Sequence, residues 1–192
     1  MRVHPNKRAI RVLGIAESFR KGDPHSVLAG VVMRSDLVVD GVCLGRATVG
    51  GDDATSSIVS MNRRLHRQDV NAIMVSGCII SYYNIVDVDA VAKKTGRPVI
   101  CLTYRESAGI EDAIRKRFED PEGKLVRYRA LRERTRVVLR TGQTVYARLA
   151  SISQKDALRV TESFTLQGGV PEPVRLAKLL AHGVRASVQA LA

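Results

Sequence analysis

The sequence predicts an α/β protein with a mixed five-stranded sheet flanked by helices and a C-terminal extension. Three observations predict this class. Three apolar runs of strand length open the chain, and helix-like and strand-like runs then alternate. The hydrophobic fraction of 45% and the charged fraction of 26% are those of a globular protein. No linker rich in Pro or Ser divides the 192 residues, so residues 1–192 are predicted to form a single domain.

The first apolar runs predict three antiparallel strands. Residues 9–16 become apolar throughout, as a strand in the middle of a sheet does. A second run covers residues 27–33, and residues 34–36 connect it to a third run at residues 38–49. Connections this short join antiparallel neighbours, so the three strands are expected to form a meander.

Helices and strands alternate in the middle of the chain. Asp53 or Thr55 is expected to cap the first helix, because short polar side chains accept hydrogen bonds from the free amides of a helix N-terminus. The next elements are predicted to be a strand at residues 72–76, a helix at 86–95, a strand at 99–103 and a helix at 110–118. A meander followed by this alternation is the arrangement of an RNase H-like fold.

The last part of the chain predicts a helical extension at about residues 153–192. Before it, residues 136–139 and 143–147 flank Thr141-Gly142 and predict a hairpin or a pair of extended runs. Ser153 begins one helix, and Pro173 opens a second that is rich in Ala and Leu. The apolar residues of this second helix exceed what one face buries, which predicts a homodimer.

The positive charge predicts a polyanionic partner. Lys and Arg total 31 against 19 Asp and Glu, which gives a net charge of +12, and 23 of the 31 are Arg. The basic segment at residues 124–140 carries seven cations and one acid, a net charge of +6. Because Arg binds phosphate oxygens in a bidentate way, DNA is the expected partner, with RNA as the alternative. The competing interpretation is a solvated surface rich in ion pairs.

The location expected for this protein is the cytoplasm. The first eight residues are polar and lack the apolar core of a secretory signal. No run approaches the about 18 apolar residues of a membrane span, so no membrane partner is expected. Cys43, Cys78 and Cys101 lie in apolar runs without metal-binding spacing, and we expect buried free thiols in a reducing compartment.

Acidic residues near the predicted strand ends suggest a metal site. Asp52 and Asp53 follow Gly50-Gly51 where a strand passes into a helix, and Glu17 ends the first central strand. Carboxylates clustered in this way hold Mg²⁺ or Mn²⁺ in two-metal phosphoryl transfer. Glu17, Asp52 and Asp87 are therefore the predicted metal ligands, and Glu17, Asp52 and Asp53 the predicted catalytic residues. The alternatives are acids at a helix N-terminus and, for Asp87, a helix cap.

Residues on either side of the predicted site are candidates for contacting a nucleic acid. Tyr82 and Tyr83 precede Asp87 in a loop and are predicted to stack on an extruded base. The alternative is a tyrosine pair that anchors the loop on the core. Four arginines of the basic segment are predicted to contact phosphates: Arg127, Arg129, Arg132 and Arg134.

Four stretches of the sequence resemble the archaeal endonuclease dU family, which is distantly related to endonuclease V. They are residues 11–15, residues 49–55, Ser76-Gly77 followed by residues 84–87, and residues 169–177. The string Pro-Glu-Pro-x-Arg-x-Ala at residues 171–177 is the most specific of these. The resemblance implies an RNase H-like fold and a metal-dependent endonuclease that acts in DNA repair on deaminated, deoxyuridine-containing DNA. It also implies that Thr55 and Asn84, which lie in matching stretches, contribute to substrate binding.

The chain departs from the family pattern at three acids. Ala16, Gly50 and Ser76 stand where the resemblance implies carboxylates. A divalent metal held by fewer charges binds more weakly, so three hypotheses remain open. The first is an endonuclease whose cleavage is impaired by the replaced acids. The second is a catalytically weak or inactive nucleic-acid-binding protein of the same fold, and the third is an interaction module that does not bind nucleic acid.

Overall fold

The computed structural model describes residues 10–190, which contain nine strands and six helices. The strands are β1 (Arg11–Ser18), β2 (His25–Arg34), β3 (Val39–Thr48), β4 (Ala72–Ser76), β5 (Ile79–Ile80), β6 (Asn84–Ile85), β7 (Val99–Thr103), β8 (Thr135–Val138) and β9 (Thr144–Ala150). The helices are α1 (Ala54–Arg64), α2 (Val88–Thr95), α3 (Glu111–Arg117), α4 (Glu122–Arg129), α5 (Gln154–Ser163) and α6 (Glu172–Ala190).

The main sheet has the strand order β3-β2-β1-β4-β7-β9-β8, and β5 and β6 form a separate two-stranded ribbon. The first three strands are antiparallel neighbours, whereas β4 runs parallel to β1 and β7 runs parallel to β4. The predicted α/β class, the mixed sheet and the meander are therefore confirmed.

The predicted number of five strands is wrong, because the sheet has seven. The hairpin of β8 and β9 adds its strands beside β7, with Leu102 opposite Ala147 and Val137 opposite Val145. All four of these side chains are buried. The apolar face of the hairpin thus continues the sheet, which is why the hairpin joins it as an antiparallel edge.

Helices cover both faces of the sheet, and the residues of β1 alternate between them. Leu13 belongs to the core that includes Ile58 of α1 and Val91 of α2. Val12 points to the opposite core, which includes Val160 of α5. This alternation follows from the two-residue period of a strand, and it explains why residues 9–16 are apolar throughout.

Helix α6 packs directly against the backbone of β1. A side chain on Gly14 would place its Cβ atom 2.4 Å from the carbonyl carbon of Pro173, so only glycine fits there without a shift. Ala177 of the same helix packs on Ala16 and Val31. The close contact places Pro173, at the start of α6, directly against β1. Leu179 is 58% exposed on the outer side of α6, and the homodimer stays a prediction.

The expectation of three free thiols is wrong for two of the cysteines. Cys78, just after β4, and Cys101, in β7, form a disulfide. Because β4 and β7 are adjacent parallel strands, the Cα atoms lie 6.2 Å apart, within the range that a disulfide spans. Cys43 is free, and burial raises the pKa of its thiol to about 11. None of the helices within residues 10–190 has the length and apolar character needed to cross a membrane.

Candidate functional site

The carboxyl ends of β1 and β4 lie side by side at one end of the sheet. Ile15 pairs with Val75 in the parallel register, so Ala16 and Ser76 are the next positions on adjacent strands. These are two of the three positions at which the resemblance implies acids. Carboxylates at this pair of strand ends would face a common site, but Ala16 and Ser76 bring no charge to it.

Glu17 is connected to the loop after β3 through Ser81. The Ser81 hydroxyl donates to Oε2 of Glu17 at 3.0 Å, and the Gly50 amide donates to the Ser81 carbonyl at 2.7 Å. Burial raises the pKa of the Glu17 carboxyl above its ordinary value, although the hydrogen bonds from Ser81 and the charge of Lys178 oppose this. Glu17 therefore lies at the predicted place, with a serine hydroxyl as its partner.

Asp53 holds together the end of β3 and the start of β6. Its carboxylate accepts hydrogen bonds from the Thr48 amide at 3.0 Å, from the Thr48 hydroxyl at 2.9 Å and from Nδ2 of Asn84 at 2.7 Å. Burial raises the pKa of Asp53, but the hydrogen bonds from Asn84 and Thr48 outweigh it and hold the pKa below its ordinary value. Asp53 occupies the N-cap position of α1 without a side-chain cap bond.

Asn84 is completely buried and uses its whole amide group in this connection. Its Nδ2 donates to the Thr48 carbonyl at 3.0 Å as well as to Asp53, and its Oδ1 accepts from the Ala54 amide at 3.0 Å. Asn84 thus supplies the bond to the first turn of α1 that Asp53 does not make. Its contacts are internal, and its predicted role in substrate binding stays a prediction.

Asp52 faces two cations of α4. Its Oδ1 accepts from Nζ of Lys124 at 3.2 Å and pairs with the guanidinium of Arg127. The buried Lys124 ammonium also donates to the carbonyls of Gly51 at 2.9 Å and Tyr83 at 3.3 Å. A lysine ammonium has three protons to donate, and three oxygens surround this one. We call Glu17, Asp52, Asp53, Ser81, Asn84 and Lys124 the acid network.

Asp87 caps α2, which was the alternative to a role as a metal ligand. Its carboxylate accepts from the Ala90 amide at 2.9 Å, and its own amide donates to the Thr55 hydroxyl at 3.0 Å. The Thr55 hydroxyl in turn donates to the Ile85 carbonyl at 3.3 Å. Thr55 and Asp87 therefore join α1 to α2.

The carboxylates of the described residues do not fit a divalent metal ion. Mg²⁺ needs several oxygen ligands in near-octahedral geometry. No group of three or more His, Cys, Asp or Glu side chains within residues 10–190 is placed to hold a metal ion. Asp52 is neutralised by Lys124 and Arg127, and Asp87 caps a helix. The predicted ligands Glu17, Asp52 and Asp87 thus have separate partners.

Tyr82 and Tyr83 lie in a turn with an uncommon backbone. Ser81, Tyr82 and Tyr83 have φ angles of 46°, 57° and 63°, three successive left-handed residues without a glycine. Tyr83 is half-buried and packs edge-on against Phe118, with the ring centroids 5.8 Å apart. Tyr82 is 41% exposed and lies 6.0 Å from the same ring. The Tyr83 contacts are those of an anchor, whereas Tyr82 presents part of its ring to solvent.

The basic segment is integrated into the fold rather than extended into solvent. Arg127 pairs with Asp52, and Arg132 pairs with Asp89 at 2.8 Å. Arg134 donates to the Ser107 carbonyl and lies 5.4 Å from the centre of the Tyr146 ring. Arg129 is exposed and makes no ion pair with any described residue. The four arginines predicted to contact phosphates therefore differ, because Arg127 and Arg132 have acidic partners and Arg129 and Arg134 do not.

A cavity of about 560 Å³ lies at the carboxyl ends of β4 and β7 and was not predicted from the sequence. Ser76 lies at its wall, and its charged lining residues are Arg105, Glu106, Arg134, Arg148 and Lys178. These residues come from β4, the loop after β7, the segment before β8, β9 and α6. No spacing along the chain connects them, so only the folded structure reveals the cavity.

The strand order, with helices on both faces, defines an RNase H-like α/β protein with the architecture of endonuclease V. Endonuclease V of Bacillus subtilis superposes with a TM-score of 0.65 over 99% of this chain and 86% of that protein, at 16% identity. Ciona intestinalis endonuclease V, solved with a 24mer DNA containing an inosine, gives a TM-score of 0.62 over 95% of this chain and 88% of that protein, at 12% identity. These TM-scores establish a shared fold.

The chain belongs to the endonuclease dU family, whose model matches residues 8–185. A UPF0215 protein of Pyrobaculum calidifontis is 41% identical over 174 residues, which cover 90% of this chain and 96% of that protein. A protein of unknown function from Archaeoglobus fulgidus superposes with a TM-score of 0.80 at 27% identity, over 91% of this chain and 98% of that structure. The suspected family is therefore confirmed.

Proposed function

We propose that this protein binds DNA through its phosphates, on the side formed by α4, residues 130–134 and the carboxyl ends of β4 and β7. The net charge of +12 is the observation that carries this proposal. Arg129 and Arg134 lie on this side without an acidic partner, and Arg127 and Arg132 lie close by in exposed ion pairs. Cations on one side of a domain attract the phosphate backbone and make binding dependent on salt.

Family membership and fold favour a nucleic-acid ligand. The matching family model is described as endonuclease dU, and endonuclease V of Ciona intestinalis was solved with DNA. The proposed ligand follows from the shared fold together with the cations of this chain. Deoxyuridine-containing DNA is the first substrate to test, because the family carries that description.

The second candidate function is divalent-metal-dependent cleavage of such DNA, and the family model favours it. The carboxylates of the described residues speak against it, because Asp52 is paired with Lys124 and Arg127 and Asp53 is enclosed by Thr48 and Asn84. We therefore place binding first and cleavage second. This ranking rests on the internal partners of the carboxylates that would have to hold Mg²⁺ or Mn²⁺.

Binding is tested by fluorescence anisotropy on a short DNA duplex at a series of salt concentrations. For the wild type we expect log affinity to fall with log salt, with a slope of about −0.9 per phosphate contact. The double variant Arg129→Gln/Arg134→Gln should flatten that slope by about two contacts. Arg159→Gln makes the same kind of charge change on α5 and serves as control. A wild-type affinity that does not respond to salt would refute the proposal.

Cleavage is tested on a deoxyuridine-containing duplex with Mg²⁺ or Mn²⁺, using the wild type and the variants Glu17→Ala and Asp52→Ala. We expect equal traces of product from all three proteins, because these carboxylates have internal partners. Robust cleavage by the wild type that disappears in either variant would establish the endonuclease and reverse the ranking.

A further inference from the structure

The cavity at the ends of β4 and β7 has an excess of positive charge. Four cationic residues line it, Arg105, Arg134, Arg148 and Lys178, and Glu106 is the acid among its lining residues. None of the four makes an ion pair with a carboxylate of residues 10–190. The charge of Lys178 also acts on Glu17, which leaves Arg105, Arg134 and Arg148 without an acidic partner. Cations that converge in this way repel one another, and a bound anion relieves that repulsion.

Arg148 is the strongest sign that this cavity is made for an anion. It lies on β9 and is only 8% exposed. Its Nε donates to the Arg132 carbonyl at 2.6 Å, and this bond leaves its charge without a counterion. Burial lowers the pKa of Arg148; the nearby Tyr128 opposes this effect, and the charge of Arg134 adds to it. A buried guanidinium is costly unless an opposite charge accompanies it.

Tyr104 also lines the cavity, but its hydroxyl lies beneath the cavity surface. Its hydroxyl is buried and has no hydrogen-bond partner among the described residues. Burial raises the pKa of Tyr104, and the neighbouring Ser76 side chain offsets only part of that rise. Because this hydroxyl has no accessible surface, it lies out of reach of a ligand, and Tyr104 contributes to the cavity wall through its other atoms.

The remaining wall is apolar. Ile79, Leu102, Ile110 and Val170 contribute to it, and the volume of about 560 Å³ lies within the range of small-molecule sites. The cavity thus combines a cationic part with an apolar part. A nucleotide has the same two parts, a phosphate and a nucleoside.

We propose that this cavity binds the phosphate monoester of a nucleotide, at the end of a DNA strand or on a free mononucleotide. A monoester carries close to two negative charges at neutral pH, and it matches four cations and one acid better than the single charge of an internal phosphodiester. The buried Arg148 binds the phosphate oxygens, and Arg105, Arg134 and Lys178 complete the charge balance. The proposal rests on the proposed DNA binding for the strand end, but not for the free nucleotide.

The test compares three single-stranded oligonucleotides of one sequence, with a 5′-phosphate, with a 3′-phosphate or with neither. Wild-type protein should bind one phosphorylated form about tenfold more tightly than the unphosphorylated form, the gain expected from one to two charge-assisted hydrogen bonds. Thymidine monophosphate should compete for the same site, and inorganic phosphate should compete more weakly. Arg105→Gln and Arg134→Gln should each remove most of the preference. The matched control is Arg136→Gln on β8, which does not line the cavity and should keep the preference.

Each outcome decides the proposal. A wild type that binds all three oligonucleotides equally and ignores thymidine monophosphate overturns it, while salt-dependent DNA binding would still stand. A preference that survives in both Arg105→Gln and Arg134→Gln also overturns it. Competition by thymidine monophosphate that depends on Arg105 and Arg134, in a protein without affinity for duplex DNA, supports the cavity and refutes the proposed function instead. Competition without any preference among the oligonucleotides supports the site with the free nucleotide as its ligand.

Discussion

The acid network and the cationic cavity lie at the same end of the sheet but differ in how their polar groups are satisfied. In the acid network, Asn84 makes three hydrogen bonds and Lys124 donates to three oxygens. In the cavity, the Tyr104 hydroxyl has no partner among the described residues, and Arg148 has no counterion there. Polar groups with internal partners hold the fold together, whereas a cation in a cavity wall without a counterion is available to a ligand. The partners of the polar groups, rather than the number of acids, therefore distinguish the two regions.

The largest expected effect is the loss of Asn84. In Asn84→Leu, the buried Ala54 amide loses its partner, and the partly buried Thr48 carbonyl and Asp53 carboxylate each lose one of their hydrogen bonds. We expect a loss of about 3 kcal/mol in the free energy of unfolding, since each buried unpaired group costs about 1–3 kcal/mol. Denaturant unfolding measures it. Gln143→Leu makes the same chemical change at an exposed position and should leave stability within about 0.5 kcal/mol. Similar effects of both changes would contradict a structural role for Asn84.

Lys124→Met tests the same network from the side of the cation. The variant leaves the carbonyls of Gly51 and Tyr83 without their shared donor, and we expect a loss of about 2 kcal/mol. Arg127→Met removes the more exposed partner of Asp52 and should cost about 1 kcal/mol or less. Urea unfolding of the two variants measures both losses in the free energy of unfolding. Equal losses would mean that the ion pair with Asp52, rather than the two carbonyls, is what makes Lys124 important.

Tyr104→Phe should raise the free energy of unfolding, in contrast to the preceding substitutions. Removing a buried hydroxyl that lacks a partner relieves a desolvation cost, so we expect the ligand-free protein to gain about 1 kcal/mol. Thermal unfolding without nucleotide is the measurement. Tyr82→Phe, which removes a hydroxyl from a 41% exposed side chain, should change little. A destabilised Tyr104→Phe would show that the hydroxyl is satisfied in the free protein, and the contrast between the two regions would then fail.

The smallest effect is expected for Glu17→Gln, and it depends on pH. Burial raises the pKa of Glu17 above the ordinary 4.5, so ionised Glu17 is less favourable in the folded than in the unfolded chain. Below the ordinary pKa, protonated Glu17 does not reduce the stability of the wild type. The stability then falls as pH rises through the folded-state pKa of Glu17. Glu17→Gln should raise the melting temperature slightly at neutral pH and leave it unchanged well below pH 4.5. A shift of the same size at both pH values would exclude titration of Glu17 as the cause.

Sequence patterns predicted most of the fold because its core elements have strong local signals. The meander, β4, α2 and β7 follow from apolar runs, short turns and the Gly96 stop of α2. The hairpin of β8 and β9 was predicted, but its addition to the main sheet was not, because the pairing of β9 with β7 joins residues more than 40 positions apart. Helix α4 was also missed, since its Lys124, Arg127 and Arg129 were interpreted as part of a charged segment.

The candidate site was predicted less well, and the reason is physical. Strand ends and adjacent acids are visible in a sequence, but the partners of those acids are not. Nothing near Asp52 in the chain indicates that Lys124, 72 residues later, donates to it. The cavity is a stronger example, because Ser76, Arg148 and Lys178 meet only after the sheet has formed and α6 has docked.

The contact between Gly14 and Pro173 affects how the protein folds during its synthesis on the ribosome. Strand β1 is made early, but the helix that covers its Ala16 and the neighbouring Val31 is made only when residues 172–190 emerge. Until then an apolar strip of the nascent sheet faces water, and pairings this distant in sequence form slowly. Such a strip attracts chaperones and other unfinished chains. The chain therefore remains vulnerable to aggregation through most of its synthesis, and α6 ends that period when it closes over β1.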